Sequence, residues 1–167
     1  MTMELAACVV AAALKVRRKL GLGQAPAAYR NALCTELERQ RLHVRRSVAL
    51  TGIARGCSAF DKGNTLELVV QEQLILELKT LETLYPIHDA QVVTLLRLSE
   101  QDHALLLNFG EPYLRHGIRH YSLKYGQPLI RPWVNPPPRS EATQIAQIYR
   151  QRIQLTAKSG GEGRGNL

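Results

Sequence analysis

The chain has 167 residues, of which 45% are hydrophobic, so its bulk is a globular domain with a core rather than a disordered segment. Its 22 lysines and arginines outnumber its 14 acidic residues, giving a formal net charge of +8. Such a surplus favours an anionic partner such as nucleic acid, a membrane surface or an acidic protein, with a solvated basic surface as the alternative. The few, widely spaced cysteines (Cys8, Cys34 and Cys57) indicate neither a disulfide framework nor a zinc site, so we expect a reducing intracellular compartment, the cytoplasm or an organelle interior.

The first predicted element is a helix from Glu4 to Lys19, rich in Ala, Leu and Val. Its apolar run LAACVVAAAL is too short to span a bilayer, so we expect no membrane span. The basic cluster KVRRK follows the run, whereas a signal peptide carries its charge in front; an organelle transit peptide is the alternative to a mature amphipathic helix. After the break at LGLG, Pro26 suits the first turn of a second helix that runs to about Gln40.

Strands dominate the middle of the chain. His43 to Ile53 alternates as a strand does, and Leu66–Val70 with Leu74–Lys79 predicts a hairpin, because two apolar runs flank a short polar connection. A helix from about His88, a buried strand in HALLLNFG and an edge strand in GIRHYSLKY follow. The order helix, helix, strands, helix, strand, strand predicts a mixed α/β domain over residues 1–125.

The composition changes after Tyr125. The segment QPLIRPWVNPPPRS is too rich in proline for a regular element, so we interpret residues 126–140 as a linker. Residues 141–158 can form an amphipathic helix, and residues 159–167 form a flexible tail. This helix must bury its apolar stripe, so we expect Ile145 and Tyr149 to bind a protein partner. Trp133 is an anchor either onto the domain or onto a partner.

Three charged residues interrupt the predicted hairpin. If the turn centres on Glu72, Glu67 lies opposite Glu77, and Lys79 shares their face of the sheet. Two carboxylates suit Mg²⁺, which lowers the pKa of a bound water, and a neighbouring lysine can orient that water or stabilise an anionic transition state. Such a cluster can carry out metal-assisted phosphodiester hydrolysis, but the spacing alone is short and frequent and is more often a solvent-facing strand edge.

Basic residues recur at three further places and could contact a nucleic-acid backbone without reading its sequence. In YLRHGIRHY they alternate with tyrosines and histidines that could stack on bases and grip phosphates. The alternatives are solvated faces and a strand edge that charge protects from aggregation. The predicted nucleic-acid-binding residues are Arg17, Arg18, Lys19, Arg45, Arg46, Arg115 and Arg119. We interpret His88 and Asp89 as a helix start rather than an acid–base pair, because adjacent helical residues diverge.

The order of these motifs resembles the GxxExxY protein family, a branch of the PD-(D/E)xK nuclease superfamily, from about Glu4 to Leu123. LKVRRKLGLG resembles the family's first helix and glycine turn, and GQAPAAYRNALCTELERQRLHVRRSVAL resembles the segment that gives the family its name. DKGNTLELVVQEQLILELKTLETLYPIHDAQVVTLLRL resembles its active-site hairpin and next helix, and ALLLNFGEPYLRHGIRHYSL its closing strands. The resemblance implies a restriction-endonuclease-like α/β fold, a mixed sheet flanked by helices, here followed by the proline-rich segment and C-terminal helix.

The resemblance also implies roles for residues of the hairpin and the following helix. Glu77 and Lys79 match the ExK part of the motif, and Glu67 stands where the family has its first metal-binding Asp. Glu67 and Glu77 are then the expected Mg²⁺ ligands and Lys79 the catalytic amine. Gln91 opens a helix motif that resembles a DNA-exonuclease signature, but Leu95 replaces the usual tyrosine.

The sequence departs from the family pattern at several positions. Gly23 and Tyr29 fit the motif that names the family, but Pro26 holds its acidic position and removes one carboxylate. Asn64 and Thr65 replace an aromatic–Arg pair. We therefore expect a nucleic-acid-associated nuclease-fold protein with weak or absent Mg²⁺-dependent hydrolysis, Mg²⁺ being its cofactor only if the site is active. The alternative is an inactive pseudo-nuclease that serves as a structural or binding subunit of a larger assembly, such as a ribonucleoprotein or organellar one.

Overall fold

Three helices and six strands make up the domain in this computed structural model, which describes residues 3–50 and 65–133. The predicted helix over 141–158, with Ile145 and Tyr149, lies outside the described residues, as do the tail and the end of the first predicted strand. In chain order the elements are α1 (Met3–Leu20), α2 (Pro26–Arg39), β1 (Val44–Ala49), β2 (Thr65–Val70), β3 (Leu74–Lys79), α3 (Pro86–Ser99), β4 (His103–Asn108), a short 3₁₀ helix (Leu114–Gly117), β5 (Ile118–Lys124) and β6 (Gln127–Pro132).

The strands form one mixed sheet in the order β1-β2-β3-β4-β5-β6. Strands β3 and β4 are parallel and every other neighbouring pair is antiparallel. A parallel pair needs a long crossover connection, and α3 supplies it. The central strands β3 and β4 are largely buried, which explains their nearly continuous apolar sequences. The predicted mixed α/β sheet flanked by helices is confirmed.

Two hydrophobic cores lie on opposite faces of the sheet. The first joins α1 and α2 to the sheet, and residues such as Val9, Leu33 and Leu105 are fully buried in it. The second joins α3 to the other face through residues such as Leu96 and Leu106. The alanine-rich run of α1 is buried in the first core. No helix in the described part of the chain is long and apolar enough to cross a membrane.

The predicted hairpin of β2 and β3 is confirmed, with its turn centred on Glu72. The partners are Val70 with Leu74 and Leu68 with Leu76. Gln71 and Glu72 both have positive φ, 55° and 53°, the left-handed backbone that a tight hairpin turn uses. The strand register next to the turn is therefore the register that the sequence analysis assumed in placing Glu67 opposite Glu77.

Two predictions about the end of the domain are wrong. The segment GIRHYSLKY is not at an edge, because β5 lies between β4 and β6. The proline-rich segment assigned to a linker from residue 126 begins with a strand, β6, which pairs with β5 along its whole length. The missed signal is the Tyr125–Gly126 turn, whose φ values of 52° and 74° suit a two-residue hairpin. Pro128 and Pro132 are tolerated because β6 is the edge strand, where a missing N–H need not interrupt the ladder.

Trp133 follows β6 and attaches it to the domain. Its backbone N–H donates to the Ile118 carbonyl over 2.9 Å, and its ring packs against the first core. Of the two roles that the sequence allows for Trp133, this packing supports the anchor onto the domain.

Candidate active site between β2 and β3

Strands β2 and β3 separate where the charged residues begin. Their backbone ladder pairs Leu68 with Leu76, and beyond it the Leu78 N–H donates to Oε2 of Glu67 over 2.9 Å. The Glu67 carboxylate thus takes the place of a main-chain acceptor. Continuing the hairpin register would place Glu67 opposite Glu77, but the ladder ends at Leu68 and Leu76, and Glu67 instead accepts the Leu78 N–H through its side chain.

The backbone of β2 is irregular at the same residue. Leu66 and Leu68 would share a face in a regular strand, yet Leu66 belongs to the core beneath α3 and Leu68 to the core beneath α1 and α2. Ser47, which lies between the β1 residues paired with them, has a φ of 50°, in the left-handed region that non-glycine residues rarely adopt. The change of face at Glu67 redirects its carboxylate out of the ordinary alternation of the strand.

Both oxygens of Glu67 have hydrogen-bond partners. Oε2 accepts the Leu78 N–H, and Oε1 accepts Nη1 of Arg30 from α2 over 3.2 Å. Burial raises the pKa of Glu67 and the nearby negative charge of Glu77 raises it further, whereas the Leu78 N–H and Arg30 lower it; the net shift is upward.

Glu77 and Lys79 form a second pair on β3. The Lys79 ammonium lies 2.9 Å from Oε1 of Glu77, and their side chains are only 22% and 14% exposed. Together with Arg30 and Glu67 they form what we call the hairpin cluster: Arg30, Glu67, Glu77 and Lys79. The two pairs, Arg30–Glu67 and Glu77–Lys79, contain the three charged residues of the predicted site and a fourth, Arg30. The Leu78 N–H, between Glu77 and Lys79 in the sequence, links the first pair to β3.

Arg30 is the residue that sequence reasoning missed. It lies on α2, four residues after Pro26, and therefore about one helical turn along the same side of the helix. Its neighbour Tyr29 is fully buried, donates its hydroxyl to the Gly21 carbonyl over 2.6 Å and stacks on Phe109. These contacts fix the start of α2 and hold Arg30 next to β2. The sequence signal for Arg30 was a basic residue one helical turn after Pro26, which occupies the position of the acidic residue in the family motif.

The charges of the hairpin cluster cancel, since two carboxylates face two cations. Mg²⁺ prefers carboxylate oxygens and water, so Glu67 and Glu77 are donors of the right type. However, both oxygens of Glu67 have partners, one of them a guanidinium, and Glu77 is bound by Lys79. Within residues 3–50 and 65–133, no group of three or more His, Cys, Asp or Glu side chains could hold a metal ion. In this arrangement the cluster does not fit Mg²⁺.

Gln91 lies apart from these contacts. It is exposed on α3, and its side chain forms no hydrogen bond with any residue that the structure describes. His88 has the helix-start role predicted for it, because its Nδ1 accepts the Tyr85 N–H over 2.9 Å in a capping box. The structure therefore does not connect Gln91 to the hairpin cluster by hydrogen bonding.

Asp89 lies in the first turn of α3, as predicted, and also joins α3 to β5. Nη1 of Arg119 lies 2.6 and 2.7 Å from its two oxygens, and the Tyr121 hydroxyl donates to Oδ1 over 2.5 Å. We call Asp89, Arg119 and Tyr121 the α3–β5 cluster. Arg119, which was predicted to contact nucleic acid, forms an ion pair with Asp89.

The other predicted nucleic-acid contacts fall into two groups. Arg17 donates to the carbonyls of Glu111 and Pro112, Arg45 pairs with Glu72, and Arg46 contacts Asn31 and Glu38. The second group is exposed and forms no ion pair among the described residues; it consists of Arg18, Lys19 and Arg115. The contacts of Arg17 connect the end of α1 to the loop before Arg115, so the members of this second group lie at the same end of the domain.

Comparison with known proteins identifies the family. A family model described as the PD-(D/E)XK nuclease superfamily matches residues 3–121. This match spans more than half of the chain, and it covers every element from α1 to β4 and the start of β5. The chain belongs to the PD-(D/E)XK nuclease superfamily, and its sheet and flanking helices agree with the restriction-endonuclease-like fold. No curated protein and no solved structure matches the chain.

Proposed function

We propose that the protein is a nucleic-acid-associated member of the GxxExxY branch of this superfamily, with weak or absent Mg²⁺-dependent phosphodiester hydrolysis. The observation that carries the proposal is the internal neutralisation of the hairpin cluster. Glu67 is paired with Arg30 and Glu77 with Lys79, so the site has no net negative charge to attract a divalent cation. Without such an ion the site lacks the Lewis acid and the activated water that hydrolysis requires.

The catalytic activity of the site is limited to what the retained residues of the family motif can support. Glu77 and Lys79 keep the ExK spacing and stay in contact, and Gln91 follows on α3. Pro26 supplies no carboxylate, and Glu67 is held by the Leu78 N–H and by Arg30. We expect residual catalysis to depend on Glu77 and Lys79 and to require a high concentration of metal.

Calorimetric titration with Mg²⁺ and Mn²⁺, combined with a cleavage assay on DNA and RNA, tests this proposal. We expect a Kd of about 1 mM or weaker for the unaltered chain and cleavage close to background. Glu77→Ala removes any residual binding, whereas Glu38→Ala, which removes an exposed carboxylate next to Arg46, leaves it unchanged. A micromolar Kd accompanied by cleavage, both abolished in Glu77→Ala, would overturn the assignment of a weak site.

Association with nucleic acid is supported by the net charge of +8 and by the exposed cations Arg18, Lys19 and Arg115. The expected binding weakens steeply with salt, because neutralised phosphates release counterions. A Lys19→Ala/Arg115→Ala variant should lose affinity and reduce the salt slope by about 2, since each phosphate contact contributes about one unit. Arg39→Ala, which removes a cation paired with Glu36, is the control. Affinity that does not change with salt or in the double variant would argue against this surface.

The second candidate is an inactive subunit of a larger assembly, held through the C-terminal extension. The neutral hairpin cluster favours it, since a cluster that binds no metal leaves the fold and the basic surface as the functional parts. The matching experiment removes residues 134–167 and leaves β6 and Trp133 in the domain. Loss of co-purifying partners supports this candidate, and unchanged co-purification counts against it.

A further inference from the structure

We propose that Arg30 is an internal counter-ion that keeps divalent metal ions out of the hairpin cluster. The inference rests on the proposed function and assigns the weakness of the metal site to one side chain. It follows that the chain retains the oxygen donors for a metal ion, and that removing the Arg30 charge exposes them.

Arg30 competes directly with a metal ion for the carboxylate of Glu67. Nη1 of Arg30 lies 3.2 Å from Oε1, and the Leu78 N–H occupies Oε2 at 2.9 Å. A Mg²⁺ ion needs its oxygen ligands at about 2.0–2.1 Å in octahedral geometry. Glu67 cannot provide such an oxygen on the Arg30 side while the guanidinium is bound there. The main-chain bond from Leu78 does not depend on Arg30, so the carboxylate keeps its position when Arg30 is replaced.

The positive charge of Arg30 also repels a divalent metal ion. The Glu67 side chain is 18% exposed and that of Arg30 is 38% exposed, so solvent screens their interaction only in part. A cation held at the carboxylate repels a divalent ion entering the same opening, and the repulsion is several-fold stronger at such partly buried sites than in bulk water. Lys79 adds a second positive charge beside Glu77. Removing one of these cations leaves the cluster with a net negative charge.

The position of Arg30 follows from the fold. Tyr29, the preceding residue, is fully buried, and its hydroxyl bridges the Gly21 carbonyl and the Gln24 N–H at 2.6 and 3.2 Å. These bonds fix the first turn of α2 against the glycine turn. Arg46, on β1 next to the same helix, contacts Asn31 and Glu38 instead of Glu67. The chain therefore offers a matched arginine whose loss leaves the hairpin cluster intact.

The test is calorimetric titration with Mn²⁺ on the full chain and on Arg30→Met, which keeps the aliphatic stem and removes the charge. We expect Arg30→Met to bind Mn²⁺ at least about tenfold more tightly, which corresponds to about 1.4 kcal/mol. Arg46→Met should bind as the unaltered chain does, and Arg30→Met/Glu77→Gln should lose the gain. Equal affinity in the unaltered chain and in folded Arg30→Met, with folding checked by circular dichroism, would overturn the inference.

A second variant tests the same inference through stability instead of affinity. Arg30→Glu places a carboxylate next to Glu67, so we expect its Tm to be lower in EDTA and to recover when Mn²⁺ is added. The Tm of the unaltered chain should be the same in both conditions. An Arg30→Glu variant whose Tm does not change with Mn²⁺ would contradict the inference.

The outcomes for the weak site and for Arg30 can be told apart. Tight Mn²⁺ binding by the unaltered chain would overturn the proposed weak site. Weak Mn²⁺ binding by both the unaltered chain and Arg30→Met would remove only the role of Arg30.

Discussion

The hairpin cluster and the α3–β5 cluster both pair carboxylates with cations, but they differ in the backbone around them. Asp89 receives Arg119 and Tyr121 beside the regular β4–β5 ladder, and its partners are side chains. Glu67 lies where β2 leaves β3, and one of its partners is a main-chain N–H that has lost its strand acceptor. The opening of the sheet at Glu67, rather than the residue types, distinguishes the candidate site from the structural ion pair of Asp89.

The pKa shifts follow the same division. Burial lowers the pKa of Arg119, but the hydrogen bond and charge of Asp89 outweigh it and raise the pKa, while burial and Asp89 raise that of Tyr121. Arg119 therefore stays charged and Tyr121 stays protonated, so both keep donating to Asp89. At Glu67 burial wins over Arg30, and the pKa rises. The α3–β5 cluster thus keeps both of its donors protonated, whereas the hairpin cluster disfavours the charged form of Glu67.

The largest expected effect comes from breaking the α3–β5 cluster. Asp89→Ala leaves a guanidinium and the hydroxyl of a buried tyrosine without their partner, and we expect a loss of about 2 kcal/mol in the free energy of unfolding. The loss is smaller than for a fully buried ion pair, because the side chains of Arg119 and Asp89 are 29% and 22% exposed and solvent screens their charges. Urea denaturation measures the loss. Asp102→Ala, at an exposed position, should stay within about 0.5 kcal/mol of the unaltered chain. An equally small change in Asp89→Ala would remove the structural role of the cluster.

A smaller effect is expected when the support of the hairpin cluster is loosened. Tyr29→Phe removes the hydroxyl that bridges Gly21 and Gln24, and we expect it to destabilise the domain by about 1 kcal/mol. Chemical denaturation measures the change, and Tyr125→Phe, at a side chain that is 94% exposed, serves as the control. Equal stability of the two variants would show that the start of α2 does not depend on this hydroxyl.

The smallest effect is a contrast between two glutamates of similar exposure, Glu36 and Glu67. At Glu36 burial opposes ionisation, but hydrogen bonds from Lys15, Gln40 and Arg39 outweigh it and lower the pKa. Its ionised form therefore contributes stability above the unfolded pKa of 4.5, and that contribution is lost as the pH falls through the folded value. Glu36→Gln should destabilise the domain at pH 7 by a few tenths of a kcal/mol, and the difference from the unaltered chain should shrink in acid.

Glu67 has the opposite sign. Because its folded pKa is raised, the unaltered chain loses the contribution of Glu67 as the pH rises through that value. The stability of Glu67→Gln relative to the unaltered chain should therefore increase from acid to pH 7, and the amide oxygen can still accept the Leu78 N–H. Urea denaturation from pH 3.5 to pH 7 measures both variants. Parallel pH profiles for Glu36→Gln and Glu67→Gln would contradict the contrast between the two sites.

Local patterns predicted the elements of the domain because the information needed is local. The alternation in β2 and β3 and the short polar turn between them define the hairpin, and the position of Pro26 defines the start of α2. Strand β6 was missed because its prolines argue against a strand unless the strand is known to lie at the edge.

The geometry of the site depends on contacts that no local pattern contains. Arg30 meets Glu67 across 37 positions of sequence, and only the packing of α2 against the sheet brings them together. The change of face at Glu67 accompanies a left-handed backbone at Ser47 on the neighbouring strand. The sequence does not indicate this conformation, because the position holds a serine and not a glycine. The three charged residues of the hairpin were therefore identifiable, whereas the charge balance that decides their chemistry was not.

The most direct test of the neutral hairpin cluster is nuclear magnetic resonance of the ¹⁵N-labelled chain titrated with Mn²⁺. The Leu78 amide donates to Glu67 between the two carboxylates, so an ion in the opening broadens its signal before others. We expect this signal to broaden in Arg30→Met at an Mn²⁺ concentration at least about tenfold lower than in the unaltered chain. Selective broadening of the Leu78 signal by micromolar Mn²⁺ in the unaltered chain would contradict the proposed weak site.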